Sequence, residues 1–284
     1  MRPLFILLGL AASFPALLFA QQPQFETTEI SAGVYQFRFQ SHNGFFVVSD
    51  GGVVAFDPIS TAAAERYAAE IQRVAPEKPL LAIVYSHHHA DHATGGNVLA
   101  AAFDTDAPII AHERARIELD RAADPDLPAP DLTFNEQLTL YLGGRQIDLY
   151  YVGLNHSDNS LVGIVPDVGV AFAVDFVSND RVGYQDLGSF HLPELFDSLM
   201  RLRNLEFDTI VFGHGPPGDP ATIDRQISYY NDLRTAVERA IRAGLTEDQS
   251  AAQIALRAYA DWGGYEDWFT LNVRGMYRAL SNDE

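Results

Sequence analysis

The chain of 284 residues contains no cysteine. No disulfide can form, no lipid can be attached to a Cys near an exported protein's cleavage point, and any bound metal must be held by His and carboxylate groups. Positive charge is scarce: 19 Lys and Arg face 38 Asp and Glu, a formal net charge of −19. A surface that acidic repels nucleic-acid backbones and anionic membranes, which argues against nucleases. Long apolar runs are scarce too. Leu4–Phe19 follows the basic Arg2, is short for a bilayer span and is followed by no charged stop. Leu18-Phe19-Ala20 before Gln21 has the look of a small-residue cleavage site. We therefore expect a signal peptide over residues 1–20, export to the periplasm or medium, and no stable membrane insertion after cleavage; a retained anchor is the alternative.

What is present is a chain 47% hydrophobic, enough for a full core in one large domain or two small ones. Short β-branched and aromatic segments at Phe25–Ile30, Val34–Phe39, Phe45–Ser49 and Val53–Phe56 are separated by glycines and read as an antiparallel meander. Tyr67, Ile71 and Val74 recur at helical spacing in Thr61–Val74, with Ser60 as N-cap. Leu80–Tyr85 is apolar throughout, as for a strand covered on both faces. A strand at Pro108–Ala111 and a helix at His112–Arg121 precede a Pro-rich connection, Asp124–Asp131. Strands then recur at Gln137–Tyr141, Gln146–Val152, Ser160–Val165, Val168–Val174 and Thr209–Phe212, with a helix at Pro193–Leu202 before the last. From Asp219 onward the pattern is helical, with an apolar face of Ile223, Ile227, Tyr230, Val237 and Ile241 and a capping box at Thr246–Gln249.

Directly after the apolar Leu80–Tyr85 stands Ser86-His-His-His-Ala-Asp-His92, an H-x-H-x-D-H pattern of His87, His89, Asp91 and His92. Two imidazoles two residues apart can share one small cation, and the Asp and His beyond can hold a second. Three more candidate ligands follow strand segments: His156 in Gly-Leu-Asn-His-Ser-Asp-Asn, Asp175 after Val170–Val174, and His214 in Gly-His-Gly-Pro. Singly, such residues serve more often as hydrogen-bonded or capping groups. Gathered at strand ends after that turn, they point to one metal centre.

This set, in this order, resembles the metallo-β-lactamase-fold superfamily over about residues 25–218. The resemblance implies an α/β fold, an αββα sandwich of two mixed sheets with helices on both outer faces. With the leader (1–20) and the helical C-terminus read above, the expected division is a leader, the metallo-β-lactamase-fold domain (21–218) and a C-terminal helical extension (219–284) packed on the same domain. His87, His89 and His156 would hold one metal, Asp91, His92 and His214 the other, with Asp175 bridging. Two zinc ions are expected, iron or a mixed pair being alternatives.

The implied activity is hydrolysis of a small-molecule ester, lactone, thioester or lactam, with Asp91 as the catalytic residue orienting the attacking water. An acid at position 175, where many β-lactamases of the superfamily carry Cys, makes β-lactam hydrolysis no default. A mononuclear iron sulfur dioxygenase and a non-catalytic zinc-binding protein are the other readings. His191 and Tyr184, on the long loop after Asp175, are expected to contact substrate. His42 and His112 are expected to be structural, and His88 to point away from the metals. Asn155, Asp158 and Asn159 are expected to orient His156. Trp262, Tyr265, Trp268 and Phe269 are expected in the core of the C-terminal helices, an aromatic lip being the alternative.

Overall fold

A computed structural model describes residues 24–282; the expected leader lies outside them. The first half forms a seven-stranded sheet in sequential order. Strands β1 (Phe25–Ser31), β2 (Val34–Phe39), β3 (His42–Val48) and β4 (Val53–Phe56) are an antiparallel meander. Helix α1 (Thr61–Val74) crosses over to β5 (Leu80–Val84), which pairs parallel to β4. The short helices α2 (Ala90–Ala93) and α3 (Gly96–Ala101), then β6 (Ile109–His112), α4 (Glu113–Ala122) and β7 (Leu132–Phe134), complete it.

The second half repeats this scheme. Strands β8 (Gln137–Leu142), β9 (Arg145–Tyr151), β10 (Leu161–Val165) and β11 (Val170–Ala173) run antiparallel. Helix α5 (Leu192–Arg203) crosses to β12 (Thr209–Phe212), parallel to β11. Three helices follow: α6 (Pro220–Arg242), α7 (Glu247–Gln253) and α8 (Tyr265–Asn282). The chain thus forms the expected αββα sandwich.

Side-chain alternation builds the layers. In β3 and β4, Phe45, Val47, Val54 and Phe56 face the other sheet, while Phe46, Val53 and Ala55 face the helices. Phe45 stacks on Phe172 of β11 with ring centroids 5.2 Å apart, joining the sheets at mid-core. On the far face of the second sheet, Leu195, Leu199 and Leu202 of α5 share a buried cluster with Tyr229, Tyr230 and Leu233 of α6 and Val273 and Met276 of α8. The C-terminal helices therefore share the core of the second sheet.

Beyond shifts of one residue at several ends, three features differ from expectation. β3 begins at His42, because Gln40 turns through the left-handed region (φ 54°) and lets pairing with β2 start three residues early. β7 is too short for an alternation pattern to reveal. β11 starts only at Val170, since Pro166–Val168 forms a 3-10 turn closed by Gly169 at φ 61°. The parallel pairs β4–β5 and β11–β12 bring four strand ends to one edge. Asn43 N–H donates to Gly213 O and Leu161 N–H to Ser86 O, tying the sheets together there.

Candidate metal centre

Every expected ligand lies on a segment that follows a strand end at that edge, Asp91 and His92 on α2. Side-chain ligand atoms of His87, His89, His156 and Asp175 all lie within 4.8 Å of one another, as do those of Asp91, His92, Asp175 and His214. Asp175 belongs to both groups. Its Oδ2 is 3.5 Å from His87 Nε2, 3.5 Å from His156 Nε2 and 3.4 Å from His92 Nε2, and its Oδ1 is 3.2 Å from His214 Nε2. Asp175 reaches this position from a left-handed backbone (φ 67°), a strained state for a residue with a side chain. Gly213 is needed beside it: a Cβ there would lie 2.5 Å from Val174 Cγ1 and 3.0 Å from His92 Cε1.

The donor set fits a metal pair on two counts. Nε2 of His87 and of His92 are buried and make no hydrogen bond, a costly state that a cation would relieve. The opposite ring nitrogens are tied back: His92 Nδ1 to Asp57 Oδ2 at 3.0 Å, His87 Nδ1 to Ser86 Oγ at 3.0 Å, and His214 Nδ1 to Ser41 O at 2.8 Å. That arrangement fixes the tautomer and aims Nε2 inward. Only His89 is turned the other way, its Nδ1 lying 2.9 Å from His156 Nε2.

The electrostatics follow from this crowding. Burial pushes His87 and His156 down, and takes His89 down to about 4. His92 is also pressed down by burial, but the carboxylates of Asp175 and Asp57 outweigh that and hold it well above the ordinary value. Asp175 is driven up by burial and held well below its ordinary value by His92 and His214. Asp91 reaches about 2, because His42 and His92 outweigh its own burial.

In protein stripped of metal, His87, His89 and His156 bind protons less readily folded than unfolded, so acid favours unfolding. Stability is expected to fall as pH drops from 6.5 through about 4, the window set by the ordinary histidine value and by His89 in the fold. His92 does not oppose this, since its raised pKa makes its contribution essentially complete below 6.5. Thermal midpoints of chelator-treated protein across that window check the slope; a flat profile would overturn it.

Above the ligands opens a cavity of about 640 Å³. Tyr184 lines it, half exposed and edge-on to Trp268 at 5.0 Å. His191 does not line it. Its backbone N–H donates to Asn155 O where it caps α5, and its ring is exposed to solvent. His42, expected to be structural, stands at the cavity with Nε2 3.3 Å from Asp91 Oδ2. His112 is structural, stacked on Tyr151 at 4.1 Å. His88 stays out of both ligand groups and meets Asn159.

Of the three residues expected to orient His156, Asn155 does so by accepting its backbone N–H at 2.6 Å. Asn159 serves His88, and Asp158 accepts from Asn159 and Arg114. The group at hydrogen-bond distance from the His156 ring is Ser189 Oγ, 3.3 Å from Nδ1. Trp262 and Phe269 pack with the C-terminal helices, but Trp268 lies on the cavity wall. The largest omission is Asp57. Fully buried, it accepts Ser86 N–H at 2.7 Å and Ser86 Oγ–H at 2.6 Å as well as His92.

The sequence model of the metallo-beta-lactamase superfamily matches residues 38–214. The alpha subunit of a 2,4-dinitroanisole O-demethylase from Nocardioides sp. (strain JS1661) is 26% identical over 233 residues, which is 81% of this chain and 70% of that one. The beta subunit of the same enzyme is 23% identical over 219 residues, 76% of this chain and 67% of that one. A solved metallo-beta-lactamase from Pontibacter korlensis shares the fold with a TM-score of 0.64 at 23% identity, covering 73% of this chain and 99% of its own. A family match across most of the described residues, on a fold whose strand ends gather two ligand groups around a common carboxylate, has one conclusion: the chain belongs to the metallo-beta-lactamase superfamily.

Proposed function

We propose that this protein is a metal-dependent hydrolase of small molecules carrying an ester, lactone, thioester or lactam carbonyl, using two zinc ions. The observation that carries this reading is the pair of ligand groups joined at Asp175 on the floor of the cavity. Bound there, a pair of cations supplies a Lewis acid for the carbonyl oxygen and lowers the pKa of water toward about 7. The chain supplies the rest. Asp91 is ionised at neutral pH and half exposed, so it can accept a hydrogen bond from an attacking water and orient it. His42 beside it fixes the carboxylate. Asp175 offsets the positive charge between the two groups. Residues 1–20 support export as part of the same proposal.

The Nocardioides relatives favour a second reading. An anisole with two nitro groups has an electron-poor ring carbon at its methoxy group. Water attack there forms a C–O bond, breaks the old one and releases methanol with no redox partner, so the same cavity chemistry would serve.

Zinc-loaded protein assayed on an ester, a lactone, a thioester, a cephalosporin and 2,4-dinitroanisole, with His89→Ala as blank, separates these readings. Asp91→Asn is expected to lower kcat by about 10²-fold, a loss typical of one positioned acid–base group, while retaining metal. Full activity in that variant would remove Asp91 from its role. Metal analysis of protein purified without added metal is expected to find two zincs per chain. One iron would favour the dioxygenase reading, and metal without turnover of any substrate would leave a metal-binding protein.

A further inference from the structure

The cavity wall carries a cation with no salt-bridge partner among the described residues, though it feels the charge of Asp175. Arg181 lines the cavity half-buried, its guanidinium 4.7 Å over the Trp268 ring. Among the described residues no carboxylate or carbonyl accepts from that guanidinium, although Asp and Glu outnumber Lys and Arg two to one. Stacking on the indole holds it in place while leaving its five N–H donors free. Its backbone is fixed separately: Arg181 bridges to Gly263, and Arg181 O accepts from Gln226 Nε2 at 3.3 Å.

Gln226 is 2% exposed and lines the same cavity, and its Oε1 has no hydrogen-bond partner. It is the guanidinium, a set of N–H donors that no described carboxylate or carbonyl meets, that a ligand's acceptor oxygens would complete. Four aromatic side chains, Phe176, Tyr184, Tyr230 and Trp268, line the same cavity, together with Val177, Ser178 and Val182. Gln226, Tyr230 and Trp268 come from α6 and α8, beyond the family match that ends at residue 214.

We propose that the cavity selects a planar aromatic substrate bearing a two-oxygen acceptor, a carboxylate or a nitro group, which docks on Arg181 while the ring lies among the aromatic side chains. A guanidinium presents two parallel N–H bonds to such a pair of oxygens, and the aromatic walls favour a flat ring over a puckered one. The substrate class deepens the hydrolase reading and rests on it for the reacting bond, but the docking itself needs no turnover.

Calorimetric binding to the full-length protein, as purified and after chelation, tests this with four probes: benzoate, nitrobenzene, cyclohexanecarboxylate and toluene. Benzoate or nitrobenzene is expected to bind at least about fivefold more tightly than both controls, and to keep that preference after chelation. Arg181→Met is expected to erase the preference and Arg181→Lys to restore part of it, with thermal melts showing that both variants fold. Preference for benzoate alone assigns a carboxylate, and for nitrobenzene alone a nitro group. Equal binding of all four probes, or a preference untouched by Arg181→Met, overturns the proposal. Failure of the hydrolase reading shows separately, as absent turnover on the carbonyl panel.

Discussion

Asp175→Ala is expected to reduce turnover by about 10³-fold or more, since several kcal/mol of charge stabilisation depend on both cations being held together. The reason is positional. Asp175 is the one carboxylate shared by the two ligand groups, and four imidazole nitrogens lie within 3.5 Å of its oxygens. Without it each group keeps only three donors, and nothing anionic stands between two like charges. Asp175→Asn keeps the shape but loses the negative charge and one of the two acceptor oxygens, so it holds a pair of cations less well. On the two-zinc reading, metal stoichiometry is therefore expected to fall from two per chain to one or none in both variants. Unchanged stoichiometry with unchanged turnover would show that Asp175 does not bridge.

The second large effect is expected away from the ligands, at Asp57. Its carboxylate accepts from Ser86 N–H, Ser86 Oγ–H and His92 Nδ1, with both Asp57 and His92 fully buried. Asp57→Ala strands these donors and one partner of a buried ion pair, a loss of about 3–5 kcal/mol in unfolding free energy. Asp57→Asn works differently. Its amide would present N–H to His92 Nδ1, forcing the ring proton onto Nε2, the atom that must face the metal. Most of the fold's stability is expected to remain, while affinity at the Asp91–His92–His214 group weakens by about 10–100-fold, as for other partners of metal-bound histidine. Denaturant titration and metal titration of the two variants check these outcomes. Equal effects in both assays would mean that Asp57 acts only through packing.

The ligand turn was legible because its information is local: His87, His89, Asp91 and His92 fall within six residues, after a strand marked by apolar residues at every position. His156, Asp175 and His214 were legible from the same grammar, a chemical residue within a few positions of a strand end. Asp57 follows β4 in the same way, but Pro58 makes it look like an ordinary turn. Its role exists only because β4 lies parallel to β5, with Phe56 opposite Val84, so that Ser86 and His92 come within reach. His42 precedes Asp91 by nearly fifty residues and meets it only through the pairing of β3 with β4. For Trp268 the helical spacing is the same whether an aromatic faces a core or a cavity. His191 misled for a similar reason, since a loop histidine before a helix can cap it as readily as reach a substrate.

The two halves of the sandwich repeat one plan, with a helical crossover leading into a parallel strand in each: β4–α1–β5 and β11–α5–β12. The first half carries His87, His89, Asp91 and His92, and the second carries His156, Asp175 and His214. Neither half alone can complete either coordination group. An ion seated at either group is consequently a cross-link between the two sheets, a rivet through the joint that the stacked phenylalanines and the Asn43–Gly213 and Leu161–Ser86 hydrogen bonds otherwise close. Loading and tertiary integrity then become one equilibrium, and whatever draws the ion out also slackens the seam that shapes the cavity.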